Sequence, residues 1–505
     1  MQDKASSSVS SSNIKKSLKT TSIFGGVEIF GIIISIIRNK LVALLIGPVG
    51  IGIVEMYNST IRLIGSCTDF SLHTSAVREI SIAYKSENKE KFYHIATVFS
   101  RIVWFTGFLG TIVCLLGSPL WSKLSFGNYN YTIGFAFLSV VLLLTQLQNG
   151  KKVILQGTQH YRYLAISGFV GSVLGLFTTV PIYYLLGLDG IVLVLIISAS
   201  VSYILSYYFA NKVKVKYLKI SNKDVLKEGR GMLKQGMFLS VNYLLSYLIL
   251  YIVRVFVSNK GGLDELGLYS ASFAIVTTYV GLVFQAMSKE YFPRISALSD
   301  DKVAFNRSVN DQIYLVLLIL GPLIAFFLTF SDKILYVLYS DKFMNAGLLM
   351  ALCMVGVVFE APSWCMGYAF LAKGDNKQYL MYETITKVQK ITTDIVCYLL
   401  WGLTGLGISF IVSYVYYTLQ CMYLCKKRYG LVLDRSIIKM LILYSIGCLI
   451  LIGFYVYSNL WIRIAAGLII ILISCIFSYR KLNSIVNIVD FVKSIIKKGK
   501  KTDVQ

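Results

Sequence analysis

The sequence predicts an all-α polytopic membrane protein of about fourteen transmembrane helices, with two pseudo-symmetric six-helix lobes followed by two C-terminal helices. Three observations predict it. Hydrophobic residues fill 56% of 505 positions, charged residues only 15%, and mean hydropathy is +0.67. A soluble chain of this length cannot bury so much apolar surface. The apolar runs are continuous over about 20 residues without period-two alternation, which fits crossing helices and not barrel strands. Landmarks also recur along the chain at one offset, close to 216 positions.

Taken in order, the apolar segments lie at roughly 21–46, 51–77, 100–122, 131–150, 164–186, 190–211, 235–258, 267–288, 312–331, 343–372, 379–402, 404–425, 437–457 and 460–479. An even number places both termini on one side. The two termini and the alternate loops on that side hold 36 of the 49 basic residues. The opposite loops hold only Lys123, Lys260, Lys333 and Lys342. The rich side is therefore cytoplasmic, and this bias accounts for the net charge of +24 without a nucleic-acid partner.

The expected division is a cytoplasmic N-terminal tail at 1–20, an N-lobe of helices 1–6 at 21–211, a basic cytoplasmic linker at 212–234, a C-lobe of helices 7–12 at 235–425, helices 13–14 at 426–479, and a basic cytoplasmic tail at 480–505. The Ser-rich start has no apolar signal region or cleavage site. The linker carries eight basic residues suited to anionic lipid headgroups, and 482–498 has the apolar spacing of an interfacial amphipathic helix. Solvated topological charge is the blander account of both. The nine cysteines lie almost all in apolar runs, where they act as small hydrophobes. Neither they nor the three histidines have metal-ligand spacing, so no metal or cofactor is expected. The longest external loops hold about a dozen residues, too few for a catalytic domain, so no enzyme is expected.

The repeat pairs Arg38 with Arg254 and Arg78 with Arg294, each 216 positions apart. Tyr163-Leu164 falls on Tyr379-Leu380 at the same offset, and Gly187-Leu-Asp-Gly190 on Gly402-Leu-Thr-Gly405 at 215. Six helices is an even number, so both copies enter the membrane in the same orientation, as parallel repeats do.

Charge concentrates in helices 1, 2, 7, 10 and 11. A charge at bilayer centre costs at least ~2.5–3.5 kcal/mol, so these residues should face a protein-lined or watery cavity. Arg38 and Lys40 stand on nearly opposite faces of helix 1, with Glu28 in its inner half. Glu55, Arg62 and Asp69 are seven apart and share one stripe of helix 2, either facing the cavity or forming a self-neutralised ladder. Tyr243, Tyr247, Tyr251 and Arg254 share a face of helix 7. Such a face suits a sugar and a phosphate, although an interfacial aromatic belt explains Tyr251 equally well. Glu383–Lys387 and Lys390–Asp394 can satisfy each other as i, i+4 pairs. Glu360, just before a kink expected at Pro362, has no sequence-local partner and is a candidate proton carrier. The candidate substrate-binding set is thus Arg38, Arg62, Arg254, Lys40, Tyr243, Tyr247 and Tyr251. The ion-coupling candidates are Glu55, Asp69, Glu360 and Glu28. A cationic cavity between the lobes selects an anion such as phosphate, diphosphate or carboxylate.

With R-N-K-L-V-A-L-L-I-G-P-V-G-I-G at 38–52, Gly-Leu-Tyr269-Ser-Ala-Ser after Arg254, I-L-Y-V-L-Y-S-D-K-F-M-N-A-G at 334–347 and the six-plus-six-plus-two pattern, the chain resembles the repeat-unit (O-antigen type) polysaccharide flippases of the MOP exporter superfamily, over about 15–480. The resemblance implies alternating access and an undecaprenyl-diphosphate-linked oligosaccharide as substrate, moved to the periplasmic leaflet of the bacterial inner membrane. Arg38, Arg254 and Arg62 would hold the diphosphate or an acidic sugar. An H+ or Na+ gradient acting through Glu55, Asp69 or Glu360 would drive it, and a polysaccharide polymerase would follow it. The lipid II flippases of the same superfamily are the alternative, although they carry more arginine in helix 8 than this chain does. A multidrug antiporter ranks lower, because it would want an acidic cavity. An integral-membrane polymerase or glycosyltransferase is the alternative of another class, and the short loops argue against it.

Overall fold

The computed structural model describes residues 2–86 and 88–485, with side chains described from Phe30 onward except at positions 226, 235, 238, 239, 242 and 485. The side chain of Glu28 and almost all of the 482–498 stretch lie outside the described residues. Regular structure among the described residues is helical throughout. In order the helices are α1 (Gln2–Thr68), α2 (Leu72–Lys85), α3 (Lys89–Leu116), α4 (Ser118–Phe126), α5 (Thr132–Gly157), α6 (Tyr161–Leu186), α7 (Gly190–Asn211), α8 (Asn222–Ala297), α9 (Lys302–Thr329), α10 (Ser331–Leu338), α11 (Gly347–Ala372), α12 (Asn376–Tyr429), α13 (Arg435–Tyr457) and α14 (Leu460–Ile485). This is a multi-pass membrane protein.

Ten described stretches are long and apolar enough to cross a membrane, and four of them, at 39 to 55 residues, are far longer than one crossing requires. Each of the four is broken once, at Gly47, Gly187, Gly262 or Gly402. Division at the breaks leaves fourteen pieces of roughly crossing length in the order of the expected segments, although the second ends at Thr68 and not at 77. Gly47 (φ 62, ψ −170) and Gly262 (φ 86, ψ 174) occupy a backbone region that is essentially open to glycine alone. Pro48 then restarts the helix with a φ already suited to a first turn. α11 runs through Pro362 with no residue leaving helical backbone geometry. The two long loops expected outside contain short helices α4 and α10 that the hydropathy pattern does not show.

The repeat is written into the backbone. Residues with left-handed φ recur as Gly47 and Gly262, Gln159 and Gly374, Gly187 and Gly402, each 215 apart, and Lys214 and Gly430, 216 apart. The first unit comprises Met1–Gly267 with Leu338–Ser340, and the second Leu268–Val337 with Asp341–Gln505. In the first, α2, α3 and α5 close on Leu72, Ile80, Phe99 and Ile154, joined by Val225 and Met232 from the basic linker and the start of α8. The linker is tied down further: Leu218 N–H donates to Thr97 Oγ1 (3.0 Å), and Lys151 Nζ to Tyr217 Oη (3.0 Å). In the second unit, α9 and α11 are the most buried crossings. Arg463 of α14 reaches Asp332 of α10 at 2.6 Å and lies over the Tyr455 ring, tying the C-terminal pair to that unit.

Candidate functional site: a polar cavity in the first unit

The α1 stretch after Gly47 carries Glu55 and Arg62, while Asp69, expected on the same helical stripe, lies just past the end of α1 at Thr68, and the structure gives the three different duties. Arg62 is exposed into a cavity of about 290 Å³ in the first unit, and Asp69 lines the same cavity. Tyr243 and Tyr247 of α8 form one wall. Four expected site residues are therefore brought together. The other walls come from polar residues inside apolar helices: Thr106 of α3 and Thr145, Gln146 and Asn149 of α5. Sequence reasoning missed these four, because a neutral amide or hydroxyl disturbs neither charge nor periodicity. Gln146 Nε2 donates to Thr106 Oγ1 at 2.9 Å, which fixes one amide in the wall. Gly107 and Gly110 line the cavity as well, and at Gly110 a Cβ would press on Thr68 Oγ1.

At its C-terminal end α1 stops abruptly. Phe70 and Ser71 are consecutive non-glycine residues with left-handed φ of 48° and 45°. Asp69 Oδ1 accepts from Ser71 N–H at 2.8 Å, and Ser71 meets Ser240 of α8 at 3.0 Å. His73 stands 3.8 Å from the Asp69 carboxylate, with its ring against Tyr243. The equivalent stretch of the second repeat, near 285–286, stays helical within α8. The repeat is therefore broken at the edge of this cavity, and backbone strain of this kind clusters at functional sites.

Arg254 is placed elsewhere. It is 6% exposed, and its Nη2 meets Glu55 Oε2 at 2.8 Å while Nη1 donates to Ser59 Oγ at 2.5 Å. Glu55 is thus balanced by Arg254 of α8 and not by Arg62 on its own stripe. Tyr251 is equally committed, in hydrogen-bond contact with Ser125 at 2.9 Å, which in turn meets Thr60. The single face expected for helix 7 is divided: Tyr243 and Tyr247 line the cavity, whereas Tyr251 and Arg254 bind α1 and α4 to α8. Arg38 and Lys40 are half-buried and are not among the lining residues. The Arg38 guanidinium lies beside Gly175 of α6, where a Cβ would stand at ordinary contact distance from Nη1, 3.6 Å.

Glu360 lies in the second unit and does have a partner: Tyr414 Oη donates to Glu360 Oε1 at 2.9 Å. Lys390 and Asp394 meet at 2.9 Å and Lys387 and Glu383 at 3.8 Å, as the i, i+4 spacing predicts. No group of three or more His, Cys, Asp or Glu side chains is placed to hold a metal among the described residues.

A family described as polysaccharide biosynthesis protein matches residues 41–348. A Shigella flexneri protein carrying the name of an O-antigen transporter is 24% identical over 379 residues, covering 73% of this chain and 88% of its own. A lipid III flippase of Escherichia coli (strain K12) is 22% identical over 392 residues, covering 76% and 92%. Among solved structures, a lipid II flippase in an inward closed conformation superposes with a TM-score of 0.69 at 17% identity, covering 91% of this chain and 99% of its own. An inward-facing multidrug transporter of the MOP superfamily gives 0.65 at 15% identity, covering 81% and 94%. At such identities the superpositions establish the fold alone, which is that of the MOP transporters.

Proposed function

The chain belongs to the polysaccharide biosynthesis protein family, and from that premise we propose that it turns a lipid-linked oligosaccharide from the cytoplasmic to the outer leaflet of the bacterial inner membrane. The named relatives are transporters and flippases, which supports transport without bond cleavage. One observation of the structure carries the reading: Arg62 opens into a cavity whose lining includes two tyrosine rings, amides and hydroxyls beside the Asp69 carboxylate. The guanidinium suits a diphosphate, which it can hold bidentately. Tyr243 and Tyr247 offer faces for the apolar side of a sugar, and Gln146 and Asn149 offer donors and acceptors for its hydroxyls. The prenyl tail of an undecaprenyl diphosphate would remain in lipid.

Asp69 is the carboxylate best placed to couple an H+ or Na+ gradient to this cavity, since Glu55 is committed to Arg254. The positive-inside bias supports a cytoplasmic position for both termini and for the residue 69–73 end of the cavity. The delivered unit would then be available to a polysaccharide polymerase.

The test is deletion of the gene in its host and location of the lipid-linked oligosaccharide by sidedness, with rescue by wild type, Arg62→Ala and Arg62→Lys. Substrate should accumulate on the cytoplasmic leaflet in the deletion. Arg62→Ala should fail to rescue, and Arg62→Lys should restore part of the flux, because it keeps the charge and loses the fork. Single units that reach the outer leaflet and stay unpolymerised in the deletion would assign the chain to a step after translocation.

A further inference from the structure

We propose that the second unit carries a separate binding site for a neutral sugar ring, in the cavity that α11 makes with α12. The proposal deepens the flippase reading and rests on it only for the expectation that sugars reach this chain. The cavity measures about 390 Å³, within the range of small-ligand sites. Five of its lining side chains are aromatic: Trp364 and Tyr368 of α11, and Tyr379, Tyr414 and Tyr417 of α12. Such rings accept the apolar C–H face of a pyranose.

Charge decides what the rings can hold. Each lysine in the lining already has a carboxylate: Lys387 has Glu383 at 3.8 Å, and Lys390 has Asp394 at 2.9 Å. Asp394 is itself buried and accepts from Ser409 as well. No surplus positive charge is left to attract a phosphate or a uronate. Acceptors are in surplus instead. Glu360 takes one hydroxyl, from Tyr414 at 2.9 Å, and Glu383 takes the Tyr417 hydroxyl in addition to its lysine. A carboxylate offers about four lone-pair sites, so both glutamates can accept further donors. Sugar hydroxyls supply those donors, whereas an anionic sugar would set like charge against the two glutamates.

The repeat offers independent support. Glu360 and Trp364 stand 215 positions after Thr145 and Asn149, and those two residues line the cavity of the first unit. The same face of the same repeated helix is thus turned to a cavity in each unit. In the first the partners include an exposed arginine. In the second they are rings, two lysines already paired with carboxylates, and glutamates with acceptor capacity to spare.

The test uses the full-length protein in nanodiscs, with Trp104, Trp121, Trp401 and Trp461 changed to Phe so that Trp364 reports alone. Methyl glycosides of glucose, galactose, N-acetylglucosamine and rhamnose, then methyl glucuronide and inorganic pyrophosphate, are titrated. At least one neutral glycoside should shift Trp364 emission saturably, and the two anions should not. Glu383→Gln should raise the half-saturating concentration about tenfold, as expected for the loss of a charged acceptor. Should that variant fail to fold, Tyr368→Leu removes a ring without disturbing an ion pair and carries the same expectation. Silence with all four neutral glycosides, or a stronger response to either anion, overturns the proposal. A silent titration with flipping intact defeats this site alone. A sugar response from a chain whose deletion leaves flipping intact defeats the flippase reading alone.

Discussion

A guanidinium at membrane depth needs a counter-charge, and Arg254 has one in Glu55. Breaking a buried pair by removing one partner strands the other charge at a cost of ~3–5 kcal/mol, while removing both is far milder. Glu55 is 27% exposed, so its share falls below that range. Arg254→Leu and Glu55→Leu should each lower the unfolding temperature of the purified protein, and the double variant should recover much of the loss. Equal and additive losses would show that the contact contributes nothing. Arg62→Ala should leave the unfolding temperature unchanged, because that side chain is exposed into its cavity and has no ion pair to lose among the described residues. The contrast marks what the sequence can and cannot say of residues. Charge inside an apolar helix flags Arg62, Asp69 and Arg254 alike, as does helical spacing for the tyrosines. Their partners are invisible at that stage, because Glu55 lies 199 positions before Arg254 and Tyr414 lies 54 after Glu360. Asn149 and Gln146 send no signal at all, since an uncharged amide in an apolar run looks like packing.

At the level of elements, the breaks in the long helices have two distinct requirements. Gly47 and Gly262 need only the dihedral freedom, since a Cβ at either meets nothing within 4 Å. Gly52 and Gly267, also 215 apart, need space. A Cβ on Gly52 would strike the Leu263 carbonyl, and one on Gly267 would strike the Pro48 carbonyl. Pro48 and Leu263 are themselves 215 apart, so each copy of the motif presses its glycine on the carbonyl of the other, all within the first unit. Gly47→Ala and Gly262→Ala should therefore cost about 1–3 kcal/mol each, the strain of a side chain in that backbone region. Gly52→Ala and Gly267→Ala should cost more, because backbone must move from backbone. Gly374, whose repeat partner Gln159 holds a left-handed φ with a side chain, should accept Asn nearly without loss. Thermal unfolding of the five variants checks the order, and a Gly374→Asn loss as large as that of Gly52→Ala would refute it. The sequence shows the Gly-Pro turn plainly, but which glycine bends the chain and which admits a neighbour is decided by packing.

For the whole molecule, hydropathy carried most of the architecture, because a bilayer imposes length on each crossing independently of its neighbours. The short helices α4 and α10 escaped, since eight or nine residues of mixed polarity at an interface leave no hydropathy mark. Topology now makes a joint demand on the four breaks. If fourteen pieces cross and the basic side is cytoplasmic, then Gly47, Gly187, Gly262 and Gly402 all turn the chain at the external face, and the connections that carry most of the basic residues all lie inside. Single cysteines test this in a background with the nine native ones replaced. Cysteines at Val49, Leu188, Lys260 and Thr404 should react with a membrane-impermeant maleimide in intact cells. Cysteines at Gln159, Tyr217, Ser299 and Asp375 should react only after permeabilisation. Any elbow position labelled only after permeabilisation would remove a crossing beside it. Every later loop would then change sides, and the concentration of 36 basic residues on one face would lose its meaning.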